Sequence, residues 1–176
     1  IHITGAVGIC DLTIDNLYSR FQQNSTASRS EGGIGFIPGN TKNSTLKIFF
    51  KGDNRLGCIH FNNNSSTNNN SLILEGDGTL TVADANFFTG FWNGGNHGLT
   101  AATANSYTGN HWMSAIGNND GSDSCYGIVI NSGTIYAGTT KAENCTAIGG
   151  GGNGYGQVTI KGGNVHRALQ TSRQRP

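Results

Sequence analysis

The sequence predicts an all-β fold, a single-domain parallel β-solenoid with an aromatic-rich inserted loop. Three observations carry the prediction: a composition rich in turn residues and poor in charge, short runs in which apolar residues alternate, and a register that recurs along the chain. The chain has 176 residues, the size of one domain. Gly occurs 28 times, Asn 22 times and Pro twice, and charged residues make up 12%, against roughly 25% in ordinary globular domains. A long helix or coiled coil is excluded by that composition. Leu, Ile, Val and Phe together number 37, and the net charge is only +1, whereas disorder couples low hydrophobicity to high net charge. The apolar residues must therefore serve many short strands rather than one thick core.

The strands are read in order from alternation. Leu12-Thr13-Ile14-Asp15-Asn16, Leu46 to Phe50, Leu72 to Leu74 and Ile128 to Ile130 each place apolar residues at every second position. Asn, Gly, Asp or Ser follows each run. Setting Gly33 on Gly57 brings Gly35 onto Ile59, Ile37 onto Phe61, Ile48 onto Leu72, Phe50 onto Leu74, Asp53 onto Asp77 and Leu56 onto Leu80, all at an offset of 24. Nearer the C-terminus Ala115-Ile116-Gly117 returns as Ala147-Ile148-Gly149 at an offset of 32. Ile128, Ile130, Gly133 and Ile135 return as Val158, Ile160, Gly163 and Val165 at an offset of 30. The two families join, because Leu74 to Leu80 resembles Ile130 to Ile135 with one residue deleted in the turn. Strands recurring at such periods are too short to bury a face alone, but they share a continuous core when successive turns stack about 4.8 Å apart. A β-sandwich is the alternative; it does not require a residue-for-residue recurrence at fixed spacing.

The segments Gly76-Asp77-Gly78-Thr79-Leu80-Thr81-Val82, Ala147-Ile148-Gly149 with its glycine run, and Val158-Thr159-Ile160 leading to Gly162-Gly163-Asn164-Val165 carry a resemblance. They resemble the Gly-rich right-handed parallel β-helix repeats of secreted and surface-anchored bacterial proteins, adhesin-like and carbohydrate-binding in type. The resemblance covers roughly 1 to 83 and 115 to 166. It implies the fold, and it carries no catalytic signature.

The solenoid domain is assigned to 1–166, with an insertion at 84–114 and a basic tail at 167–176. The insertion interrupts the repeat and holds both tryptophans of the chain. Insertions in repeat architectures often form the binding face. Phe91, Trp92, Tyr107, His111 and Trp112 are the candidates for stacking on sugar rings, because an aromatic face offers a large apolar platform at little entropic cost. The other reading is that these aromatics pack on the solenoid as a lid. Asn93, Asn96, Asn105 and Asn110 lie between them as hydrogen-bonding groups.

Catalytic readings are weaker. Asp53 and Asp77 fall in register and would stack as a carboxylate pair of the kind a hydrolase needs, but each sits in a Gly-Asp turn where Asp bonds its own backbone. A polysaccharide lyase or hydrolase is therefore the third reading. The oxygen-rich 118–123 stretch lacks the EF-hand pattern, and the glycine run at 149–154 lacks the Lys-Ser/Thr of a phosphate loop. His2, His60, His97, His111 and His166 are dispersed, and Thr79-Leu80-Thr81 does not recur as an ice-binding ladder would. No cofactor or metal is expected.

Four cysteines, Cys10, Cys58, Cys125 and Cys145, are an even number without zinc spacing. They read as two disulfides. Loop-closure entropy favours Cys10–Cys58 and Cys125–Cys145 among the three connectivities, with four buried thiols as the alternative. Disulfides would place the protein in an oxidising compartment, secreted or at the cell surface. The opening at Ile1 without Met reads as a mature or trimmed product. Lys and Arg number 11 against 10 acids, so no phosphate-binding field exists and nucleic acid is not expected as a partner. No apolar run reaches membrane-spanning length. The expected partner is a glycan or cell-surface polysaccharide. The alternative is a self-assembling subunit of an extracellular filament, through strand edges such as His2-Ile3-Thr4 at the solenoid ends.

Overall fold

A computed structural model describes residues 1–4, 7–19, 22–23, 30–31, 33–82, 114–118, 124–138, 147–150 and 154–168. The fold is all-β, with three parallel sheets of five strands. The chain visits sheets A, B and C in that order five times. The first pass is β1 (His2–Thr4), β2 (Gly8–Asp15) and β3 (Tyr18–Ser19). A short antiparallel pair follows, β4 (Gln22–Gln23) with β5 (Ser30–Glu31). The second pass is β6 (Gly33–Ile37), β7 (Ser44–Lys51) and β8 (Asp53–Leu56). The third is β9 (Cys58–Phe61), β10 (Ser71–Gly76) and β11 (Thr79–Val82). The fourth is β12 (Ile116–Gly117), β13 (Cys125–Ile130) and β14 (Thr134–Gly138), and the fifth is β15 (Ile148–Gly149), β16 (Gly156–Ile160) and β17 (Asn164–Ala168). Sheet A runs β1-β6-β9-β12-β15, sheet B β2-β7-β10-β13-β16 and sheet C β3-β8-β11-β14-β17. An antiparallel sandwich is not what forms. Among the described residues no helix is long and apolar enough to cross a membrane.

The inner faces of the three sheets meet in one apolar cluster built from in-register rows. Sheet A contributes Ile34, Ile59, Ile116 and Ile148, and beside them Phe36 stacks on Phe61 with ring centroids 5.3 Å apart. Sheet B contributes Leu12, Ile48, Leu74 and Ile130, and Ile160 continues that row in the last pass as an exposed residue. Sheet C contributes Leu80, Ile135 and Val165. Each row is the i, i+2 apolar pattern of one strand placed on that of the next.

The registers of the second half match the sequence reading: Ile116 on Ile148, Ile128 on Val158, Ile130 on Ile160, Ile135 on Val165 and Leu74 on Ile130. The offset of 24 is corrected. Sheet A pairs Ile34 with Ile59 and Phe36 with Phe61, an offset of 25, and sheets B and C pair Ile48 with Leu74 and Leu56 with Val82, an offset of 26. The physical reason is stacking of the inner side chains. In sheet A a one-residue slip would turn every inner side chain of one strand against an outer one of the next.

The abundance of Asn has a structural use. Asn16, Asn43 and Asn69 adopt positive φ at 50°, 58° and 52°, a backbone conformation Asn tolerates better than other side chains. Buried Asn54 accepts a hydrogen bond from the Leu17 amide at 2.9 Å and donates to the carbonyls of Lys51 and Thr79, joining three successive passes. Asn70 accepts from the Ser44 amide and donates to the Thr41 carbonyl, and Asn63 donates to the carbonyls of Asn70 and Tyr126. Gly117 serves a different need, at φ 133°, where a Cβ would run into the Gly149 carbonyl of the next pass. We expect Asn54→Leu to lower the unfolding free energy by about 2–4 kcal/mol in urea denaturation, because it removes three hydrogen bonds that tie successive passes together, each worth about 0.5–1.5 kcal/mol. A loss under about 0.5 kcal/mol would contradict that bridging role.

The predicted Cys10–Cys58 disulfide is also corrected. Cys10, Cys58 and Cys125 are thiols. Cys10 lies on β2 of sheet B in the first pass, and Cys58 on β9 of sheet A in the third. Two strand spacings, about 9.6 Å, separate their passes along the stacking direction, beyond the roughly 7 Å that a disulfide spans between Cα atoms. Cys145, the predicted partner of Cys125, lies outside the described residues.

Candidate functional site: the outer face of sheet C

Sheet C presents a regular outward display that is rich in aromatic and hydroxyl groups. Its inner positions are Asn54, Leu56, Leu80, Val82, Ile135 and Ala137, all buried. The alternate positions therefore face outward, and the parallel register aligns them across strands. One row reads Tyr18, Arg55, Thr81, Tyr136, His166, one residue from each of the five strands. A second row reads Asp53, Thr79, Thr134, Asn164. Four spacings of about 4.8 Å make the first row roughly 19 Å long. Tyr18 is 52% exposed and Tyr136 41%.

The ends of the first row are organised by side-chain contacts. Tyr18 Oη donates to Asp53 Oδ2 at 3.0 Å, and Arg55 Nε donates to the same oxygen at 3.1 Å. Arg55 Nη2 stands 3.1 Å from that oxygen as well, so the pair is a salt bridge. The guanidinium carbon lies 5.9 Å from the Tyr18 ring centroid, within cation–π range. The hydrogen bond to Asp53 pushes the Tyr18 phenol above its usual value, desolvation and the carboxylate charge add to this, and Arg55 opposes it. The Asp53 amide donates to Asn16 Oδ1 at 3.0 Å, which fixes the turn beneath the pair. At the other end the Tyr136 and His166 rings stack with centroids 4.7 Å apart and planes at 15°.

The connections around sheet C are unequal. Sheet B passes to sheet C through one to three residues. Sheet C returns to sheet A through Gly57 alone in the second pass, but through 20–32, 83–115 and 139–147 in the first, third and fourth. The two longest connections, 20–32 and 83–115, thus both leave from sheet C toward sheet A, and loops on a rigid scaffold are where binding residues accumulate. The predicted contact residues Phe91, Trp92, Tyr107, His111 and Trp112 belong to the 83–115 connection and lie outside the described residues, as do 169–176 of the predicted tail. Arg167 and Ala168, assigned to that tail, belong to β17.

Asp53 and Asp77 do not form the in-register pair expected of them. Asp53 faces Thr79 across the strands, and Asp77 lies exposed in the turn before it. Among the described residues no group of three His, Cys, Asp or Glu side chains comes together as a metal site. The face offers aromatic rings, hydroxyls, an amide and an ion pair, groups whose chemistry is stacking and hydrogen bonding.

Sequence reasoning missed Tyr18, Arg55, Tyr136 and His166 as a unit. The signal for half of it was present, because the offset of 30 that relates Ile135 to Val165 also sets Tyr136 on His166. Against known proteins, the chain matches no family model, no curated protein and no solved structure.

Proposed function

We propose that this chain is a non-catalytic β-solenoid module that binds carbohydrate on the outer face of sheet C; a secreted or cell-surface location rests on the resemblance of its repeats alone, since Cys10, Cys58 and Cys125 are thiols. The solenoid reading rests on the fivefold A, B, C order of the strands and on the inner rows shared between passes. The binding reading rests on one observation, the row of Tyr18, Arg55, Thr81, Tyr136 and His166. Exposed rings give sugar faces an apolar platform, and the flanking hydroxyl, amide and carboxylate groups suit sugar hydroxyls.

The test is a glycan array followed by calorimetry on the parent, Tyr136→Ala, Tyr136→Phe and the pair Trp92→Ala and Trp112→Ala. Tyr136→Ala is expected to weaken binding about tenfold, the size of one lost stacking contact, and Tyr136→Phe to retain most of it. Loss confined to the tryptophan variants would move the site to the inserted segment.

Self-association is the second reading. Inner apolar side chains of the first and fifth passes remain partly exposed, with Ile160 at 57%, so another copy stacked there would complete their burial. Sedimentation velocity across a concentration series separates polymers from single particles.

A further inference from the structure

We infer that the ligand of sheet C is an uncharged linear glycan lying across the strands, along the stacking direction; this rests on the carbohydrate reading above and names its substrate class and orientation. The class follows from charge. In the two rows the formally charged side chains are Asp53 and Arg55, and both Nε and Nη2 of Arg55 are directed at Asp53 Oδ2. The rest of the display is Thr, Tyr, Asn and His. An acidic sugar would have to draw the guanidinium away from a carboxylate that already holds it, and would meet that carboxylate's repulsion. A neutral hydroxyl has no such competition, because it can donate to a carboxylate and accept from a guanidinium without separating them.

The orientation follows from the shape of the display. Along one strand the face offers the two positions of these rows, about 6.6 Å apart. Across the strands it offers five, with ring faces at Tyr18 and at the Tyr136–His166 stack. Three strand spacings, about 14 Å, separate Tyr18 from Tyr136, and Arg55 and Thr81 lie between them in the row. A short sugar reaches one aromatic end. A longer one engages both, and its affinity rises by the effective-concentration advantage of a second linked contact.

The experiment measures binding of neutral β-linked gluco-, manno- and xylo-oligosaccharides, from disaccharide to hexasaccharide, alongside oligogalacturonates of the same lengths. Both series are run at about 0.05 and about 0.5 M salt. The expected result is at least a tenfold gain in affinity from disaccharide to hexasaccharide in one neutral series, unchanged by salt. Tyr18→Ala should abolish that gain while leaving disaccharide binding at the Tyr136 end. Tyr18→Phe, which keeps the ring and loses the Asp53 hydrogen bond, should preserve most of it, and circular dichroism confirms that each variant is folded. Preference for the acidic series with loss at high salt would overturn the uncharged class and leave the carbohydrate reading standing. Affinity independent of length would overturn the orientation. Failure of both series, together with a glycan array that Tyr136→Ala does not alter, would overturn the carbohydrate reading itself.

Discussion

Raising the pH from 9 toward 12 is expected to destabilise this protein through its thiols. Cys58 is 4% exposed and Cys125 fully buried, and desolvation pushes both thiols up to about 12 from an ordinary 9.0. The folded state therefore holds two protons that the unfolded chain releases earlier. Their contribution to stability is fully present below pH 9 and is lost as the pH rises toward about 12. At about 1.4 kcal/mol per pH unit the loss is on the order of 4 kcal/mol per thiol, and the two together rival the whole stability of a typical domain. Urea midpoints measured at stepwise alkaline pH read the effect. The Cys58→Ala, Cys125→Ala double variant should have a lower plateau and a flatter alkaline limb, and an unchanged limb would contradict the assignment. In the folded protein a thiol reagent should modify half-buried Cys10 well before Cys58 or Cys125.

The second large effect is in the core. Phe36 and Phe61 are fully buried on adjacent strands of sheet A, their rings 5.3 Å apart and 5° from parallel. Phe61→Ala is expected to cost about 3–5 kcal/mol, transfer and cavity together, because the parallel strands on either side hold the surrounding backbone in place. Phe36→Ala should cost a similar amount. The double variant should fall short of the sum by about 0.5–1.5 kcal/mol, the coupling of a stacked pair. Guanidinium denaturation of the four proteins closes the cycle, and a loss below about 1 kcal/mol for either single variant would mean the site collapses freely.

Much of the fold was legible because a parallel stack repeats its own inner face. Ile128 and Ile130 announce Val158 and Ile160, and Leu74 announces Ile130, since each must fill the same place in a row one strand away. The first half was harder. Matching Gly33 to Gly57 and Asp53 to Asp77 aligned turn residues, whereas the chain aligns Ile34 with Ile59 and Asp53 with Thr79. Cysteine arithmetic failed for Cys10 and Cys58 because an even count does not record that the two lie in different sheets two passes apart.

The sequence by itself determined the strand class, the inward residues and the turn chemistry, because these follow from local alternation and from residues that accept unusual backbone angles. Only the tertiary structure decided the outer rows of the first three passes. In sheets B and C, offsets of 24 and 26 leave the same side chains pointing inward, since a two-residue shift preserves the face, so the apolar pattern cannot tell them apart. Outward residues carry no burial constraint of their own. Whether Arg55 stands beside Tyr18 and Thr81 beside Arg55 is set by turn lengths and inner stacking elsewhere in each pass.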